Sequence, residues 1–156
     1  MHKSQFDNEM MKKLILFAFA LFALFNLSAQ SYKVGDLYDV GGKRGVVFEA
    51  SEDGKHGKIV SETQPAQKMT WYMAMKWNEE LKDGWYLPSY EELLALLKVS
   101  EEVNRTLQKV GGKLPHFCWS TTEFDANCAW AVSVKTDSYG GSFKGNEFYV
   151  RAVSKF

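Results

Sequence analysis

Cys118 and Cys128 are the two cysteines of this 156-residue chain, and His116 stands two positions before the first. These residue types offer three kinds of chemistry. A hairpin folded around residues 122–124 would set the two cysteines opposite each other, where an oxidising compartment could keep a bridge. Closing so short a loop is worth roughly 2–3 kcal/mol in the chain-entropy model. The alternative is a pair of thiols packed as small hydrophobes beside Trp130. Zinc is the second possibility, since His and Cys are its preferred ligands, but no fourth ligand and no paired Cys or His spacing accompanies them. A reactive thiol is the third, and nothing nearby in the sequence would lower its pKa. We expect no catalytic residue: Gly-x-Ser-x-Gly, phosphate-cradling and paired-His motifs are all missing.

Oxygen-bearing residues cluster later in the chain. Asp125, Asn127, Asp137, Asn146 and Glu147 carry ligand-type oxygens, yet the Glu-Pro-Asn and Trp-Asn-Asp strings of calcium-dependent lectins are missing. No metal and no cofactor are therefore expected. Tyr139 and Phe143 flank Gly140 and Gly141 and precede Gly145, in a stretch too polar and glycine-rich for a core. Exposed aromatics there, with Tyr149, are candidates for stacking on a sugar or anchoring a protein. A plain hairpin with surface aromatics is the alternative.

The elements that must carry these residues follow from periodicity. Residues 34–63 read as three short strands broken at Gly41-Gly42 and Asp53-Gly54, a β-meander. Thr70 can cap a helix bearing Met73, Ala74, Trp77 and Leu81, which stops at Asp83-Gly84. Ser89 and Glu92 form a capping box before Tyr90, Leu93, Leu94 and Leu97. A third helix starts at Ser100, carries Val103, Leu107 and Val110, and stops at Gly111-Gly112. Cys128, Trp130, Val132 and Val134 then alternate with smaller residues as in a half-buried strand, and Phe148, Val150 and Ala152 alternate with Glu147, Tyr149 and Arg151. By that parity Arg151 falls on the less apolar face. Strands, then helices, then strands make an α+β domain with an antiparallel sheet and two to three helices packed on one side. Core packing is the expected role of all five tryptophans.

The N-terminus is of another kind. Lys12 and Lys13 precede an apolar run over residues 14–25, followed by Ser28-Ala29-Gln30. This is the layout of a secretory signal peptide over residues 1–30, with residues 1–10 an extension upstream of a start at Met10 or Met11. The run is shorter than the roughly 20 residues that cross a bilayer, so no integral membrane segment is expected after cleavage. A single domain over residues 31–156 remains. The full chain's 19 Lys and Arg against 19 Asp and Glu fall, without Lys3, Lys12, Lys13, Asp7 and Glu9, to one acid in excess. Such a balance speaks against a nucleic-acid partner, which needs a basic excess.

Five strings stand in a fixed order: Val34-Gly35-Asp36, Gly84-Trp85-Tyr86-Leu87-Pro88-Ser89, Trp119-Ser120-Thr121-Thr122-Glu123, Ala129-Trp130 and Tyr149-Val150-Arg151-Ala152-Val153. In this order they resemble the DUF1566 family, also described as the C-terminal domain of a Legionella collagen-like protein. The resemblance implies a C-type-lectin-like fold and an exported bacterial domain, periplasmic, surface-associated or secreted, often linked to adhesion and without established catalysis. The leader ending is similar to those of Bacteroidetes. Trp85, Leu87, Pro88, Trp119, Glu123, Trp130 and Arg151 are the motif residues. Glu123 and Arg151 are either ligand contacts or a structural pair and loop anchors. The expected function is a binding module for a glycan or protein, using Asp125, Asn127, Asp137, Tyr139, Phe143, Asn146, Glu147 and Tyr149. A structural or assembly subunit that docks through a sheet edge is the alternative.

Overall fold

The computed structural model describes residues 10–13, 30–134 and 136–156. The chain divides into two units, Met1–Ser31 and Tyr32–Phe156. Within the first, residues 10–13 are helical, and the apolar run expected to be a signal peptide lies outside the described residues. Among the described residues no helix is long and apolar enough to cross a membrane.

Among its described residues the second unit is α+β, with two antiparallel sheets and three helices. Its larger sheet begins with the meander β1 (Leu37–Val40), β2 (Lys43–Ala50) and β3 (Gly57–Ser61). Gly41 and Gly42, at φ of 62° and 81°, supply the two consecutive left-handed residues that turn β1 tightly into β2. Strand β8 (Val153–Lys155) adds beside β3, and the two-residue β4 (Trp85–Tyr86) closes the other edge, giving the order β1-β2-β3-β8-β4. The smaller sheet is β5 (Phe117–Glu123), β6 (Cys128–Ser133) and β7 (Ser138–Phe143), in that order.

Helix α1 (Trp71–Glu80) is capped by Thr70, whose hydroxyl accepts from the Met73 N–H. It ends earlier than the glycine signal suggests. Leu81 is already extended, and the left-handed residues are Asp83 and Gly84, which turn the chain into β4. Helix α2 (Tyr90–Lys98) has both halves of the capping box, Ser89 receiving the Glu92 N–H and Glu92 receiving the Ser89 N–H. Helix α3 (Ser100–Lys109) follows after one residue and has Glu101 and Glu102 in its first turn.

Two cores result. Val46, Phe48 and Val60 of the larger sheet pack with Leu93 and Leu96 of α2, Val103 and Leu107 of α3, and Cys118 and Val132 of the smaller sheet. Trp71 and Ala74 of α1 pack with Leu87, Trp119, Ala129, Ala131 and Val150. Because side chains alternate along a strand, Cys118 and Val132 point to α2 while Trp119 and Ala131 point to α1. Strand β6 is thus covered on both faces rather than half-buried. The small side chains at Ala129 and Ala131 leave the space that the Trp71 and Trp119 rings fill. Of the five tryptophans Trp71 and Trp119 are buried, whereas Trp77, Trp85 and Trp130 are half-buried.

The strings that contain Trp85 and Trp119 meet physically. Thr121 donates its N–H to the Pro88 carbonyl at 2.9 Å, and the Tyr90 N–H donates to the Thr122 hydroxyl at 3.0 Å. Asn78 receives the Leu87 N–H at 2.6 Å, tying α1 to the same stretch. Strand β5 therefore fixes where α2 begins.

Strand parity fails at Arg151. Residues 150–154 are all buried, because the chain here leaves the smaller sheet, where Tyr149 bridges Cys118, and enters the larger one at Val153. Arg151 is 2% exposed. Its guanidinium donates to the carbonyls of Ser61, Glu62 and Lys113 and to the Gln64 side chain, at 2.8–3.3 Å. Burial lowers its pKa to about 10, leaving it charged at neutral pH. Arg151→Met should cost about 3 kcal/mol or more, since those acceptors lose their donor. A urea midpoint unchanged from wild type would show that water replaces the guanidinium.

Candidate functional site

The hairpin between β5 and β6 does not place the cysteines opposite each other. Cys118 is opposite Val132, and Cys128 is opposite Phe143 of β7. The reason is the four-residue tip at 124–127, which turns the chain later than a hairpin around 122–124 would and sets Glu123 opposite Ala129; the irregular register between Trp119 and Glu123 then leaves Cys118 at Val132. Both thiols are free. Cys118 is enclosed in the first core, and burial pushes its pKa up to about 12. The Cys128 thiol is also raised, by desolvation and then by the Asp125 carboxylate beside it. Among the described residues no three His, Cys, Asp or Glu side chains converge as a metal site.

Glu123 and Arg151 do not pair. Glu123 meets Lys144, whose ammonium also donates to the Ala126 carbonyl at 2.9 Å and lies 4.7 Å from the centre of the Trp71 ring. Lys144 is 3% exposed, so this cation fastens the 124–127 tip to α1 from inside. Asp125 completes the tip by accepting the N–H groups of Asn127 and Cys128, both at 2.7 Å.

Above this tip lies a row of aromatic rings. Phe124 stands edge-on to Trp130 with centroids 4.9 Å apart, Trp130 stacks on Tyr90 at 4.3 Å, and Tyr90 touches Tyr139 at 5.9 Å. The row has a cause in sequence. Trp130 of β6 is opposite Gly141 of β7, and a Cβ on Gly141 would come within 2.6 Å of the Phe124 ring. Only glycine admits the ring there. Tyr90 is the first residue of α2, held over Trp130 by the bond from its N–H to Thr122. The two outer rings are the exposed ones, Phe124 at 53% and Tyr139 at 59%.

Tyr139 also borders a cavity of about 620 Å³ between α2, the start of α3 and the β6–β7 turn. Leu94, Leu97 and Val134 supply its apolar wall, and Lys98, Ser100, Glu101, Asn104 and Asp137 its polar groups. Asp137 holds a left-handed conformation at φ 47°. A larger cavity, about 790 Å³, lies by Lys43, Lys58, Tyr86 and Glu92. Its polar groups satisfy one another: Lys58 pairs with Glu49 and Glu92, Tyr86 donates to Glu92 at 2.7 Å, and Lys43 donates to Ser154. The cavity over Arg151, about 320 Å³, has a floor whose guanidinium is occupied by carbonyls.

The structure therefore divides the expected site residues. Tyr139 and Asp137 share the cavity and the end of the row. Asp125 and Asn127 belong to the tip at its other end, where Phe143, 59% exposed, lies opposite Cys128. Asn146 and Glu147 are exposed in the stretch after β7, the Asn146 N–H donating to the Phe143 carbonyl. Tyr149 is half-buried and spends its backbone on Phe117 and Trp119, with Lys68 5.5 Å from its ring centre. Tyr90 and Phe124 were not singled out from the sequence, and Trp130 was assigned to structure alone. A glycine opposite a tryptophan across a hairpin is the signal that points to them.

A family model described as the Lcl C-terminal domain matches residues 47–154. The chain belongs to that family. No curated protein matches it.

Two outcomes test this local chemistry. Unfolded without reductant, the protein should titrate two thiols, while in the native state Cys118 should resist alkylation and Cys128 should react slowly; a single bridged species would overturn the register. The Asn127 and Cys128 amides hold the Asp125 pKa below the usual carboxylate value. With the folded value depressed, the tip is stabilised above the unfolded pKa and loosens only as pH falls through the lower folded one. Amide chemical shifts of Asn127 and Cys128 should inflect below the ordinary Asp range, and an inflection at or above it would remove the carboxylate from this role.

Proposed function

We propose that this chain is an exported, non-catalytic binding module of the bacterial envelope, with a C-type-lectin-like fold, that takes a saccharide on the row formed by Phe124, Trp130, Tyr90 and Tyr139. The row itself carries the reading. Four rings run without a break from the 124–127 tip to the mouth of a cavity bordered by polar side chains. Sugars present apolar C–H faces to aromatic rings and hydroxyls to amides and carboxylates, so a chain laid along the row would end at Asn104, Asp137 and Glu101. Membership of the Lcl C-terminal domain family supports a surface-associated module and no more.

Charge narrows the ligand. The net charge is near zero and the cavity is edged by Glu101 and Asp137 against the cation Lys98, a mixed lining that favours a neutral saccharide over a polyanion.

A glycan array on residues 31–156 tests the reading, followed by calorimetry on any hit. Tyr139→Ala should weaken binding about tenfold, the equivalent of losing one good aromatic contact. Tyr72→Ala, which removes an equally exposed ring on α1 outside the row, should leave affinity unchanged. A silent array, or equal losses from both variants, would reject the row as a saccharide site.

A further inference from the structure

Strand β7 is an unprotected edge. The Cys128 carbonyl accepts the N–H groups of Phe124 and Asp125, and Val134 donates to the His116 carbonyl, so the even-numbered residues of β6 spend their backbone groups on the β5 side. The odd-numbered ones, Ala129, Ala131 and Ser133, face Ser142, Gly140 and Ser138 of β7. Alternation along an antiparallel ladder then turns the backbone of Tyr139, Gly141 and Phe143 away from β6, towards the open edge, where the Phe143 carbonyl accepts the Asn146 N–H and keeps its second lone pair for a partner strand.

Sheet edges are normally blunted by charge, proline, a bulge or shortness. The other edges among the described residues are. Strand β4 has two residues, β1 carries Asp39, paired with Arg44 at 3.4 Å, and β5 is covered by the stretch at Tyr149, which bonds to Phe117 and Trp119. Strand β7 has six residues, Ser-Tyr-Gly-Gly-Ser-Phe, with no ionisable group other than the tyrosine hydroxyl, no proline and no break in register. Lys144, directly after it, would be the natural gatekeeper, but it is buried against Trp71 and Glu123.

We propose that β7 pairs antiparallel with β7 of a second copy of this chain, with Gly141 on the two-fold axis. A continuous sheet needs residues of like parity opposite each other. An axis at Gly141 sets Tyr139 against Phe143 of the partner subunit, twice, and Gly140 against Ser142 of the partner subunit. Both exposed aromatics of the strand gain an aromatic cross-strand neighbour. An axis at Gly140 would instead leave Phe143 against Asp137 of the partner subunit. No like charges meet in the chosen register, and the outward N–H and C=O of Gly141 bond reciprocally across the axis. Since Phe124 lies over Gly141, the two aromatic rows would come side by side on one face. The pairing stands whether or not the rows bind saccharide, because its readout is mass.

Sedimentation velocity over a concentration series should show dimers of residues 31–156. Tyr139→Lys with Phe143→Lys sets like charges opposite each other and should give monomers. Tyr139→Lys with Phe143→Glu sets opposite charges in the same register and should restore the dimer. Wild-type monomers throughout, a dimer that survives the double-lysine change, or monomers from both double variants would overturn the proposal. Hydrogen exchange on the wild type gives a test that needs no variant: the Tyr139, Gly141 and Phe143 amides should gain protection as concentration rises, and unchanged protection would overturn it too.

Discussion

Two hydrogen bonds set the working surface of this domain. The Thr121 N–H to the Pro88 carbonyl and the Tyr90 N–H to the Thr122 hydroxyl join the start of α2 to the middle of β5. Pro88 is suited to the task because it has no N–H to satisfy and its carbonyl is free to accept. With α2 anchored there, its first side chain, Tyr90, has one place to go, which is against the Trp130 ring. The Ser89–Glu92 capping box reinforces the same point by fixing the entry of the chain into the helix. Glu92 extends it into the larger sheet, accepting from Tyr86 and pairing with Lys58. Burial and then that carboxylate keep the Tyr86 phenol protonated well above its usual range.

Arg151 and Lys144 are the two buried cations among the described residues, and they solve different problems. Arg151 gathers the carbonyls of two loops where no strand can satisfy them, so a charge replaces a ladder. Such a group costs desolvation and returns it only through well-formed hydrogen bonds. Lys144 acts on a shorter span, holding the 124–127 tip on α1 through a carboxylate, a carbonyl and an indole face. The first ties the end of β3 and the stretch after it to the loop before β5; the second holds the tip that carries Phe124.

The helices and the meander were legible in the sequence because each rests on local rules: Gly41-Gly42 for the hairpin, Thr70 and Ser89 for the caps, and a 3.6-residue stripe on α2. Three features were not. The stretch around Arg151 reads as alternating, but it passes between two sheets, and parity holds only within one ladder. The cysteine positions depended on where the β5–β6 hairpin turns, which is at 124–127 rather than around 122–124, and spacing alone does not fix the turn. Trp130 was legible as a family residue but not as a surface ring, because its exposure is decided by Gly141 and Phe124, neighbours across a strand and a turn. Tyr139 was legible for the opposite reason: its setting among glycines is itself local.

Glycine in a strand interior weakens it, since the backbone loses more freedom on ordering and no side chain packs. Strand β7 has two in succession, at the edge of a three-stranded sheet. Stability alone would favour β-branched residues there. Gly141 cannot accept one, because the Phe124 ring occupies the place of its Cβ, whereas around Gly140 that place is open. The cost at Gly141 is thus tied to the aromatic row, and losing the ring would remove the need for it. Gly140 has no such contact within the chain. What its missing side chain leaves is a strand edge that another backbone can approach closely, and its neighbour's ring is what such an approach would meet.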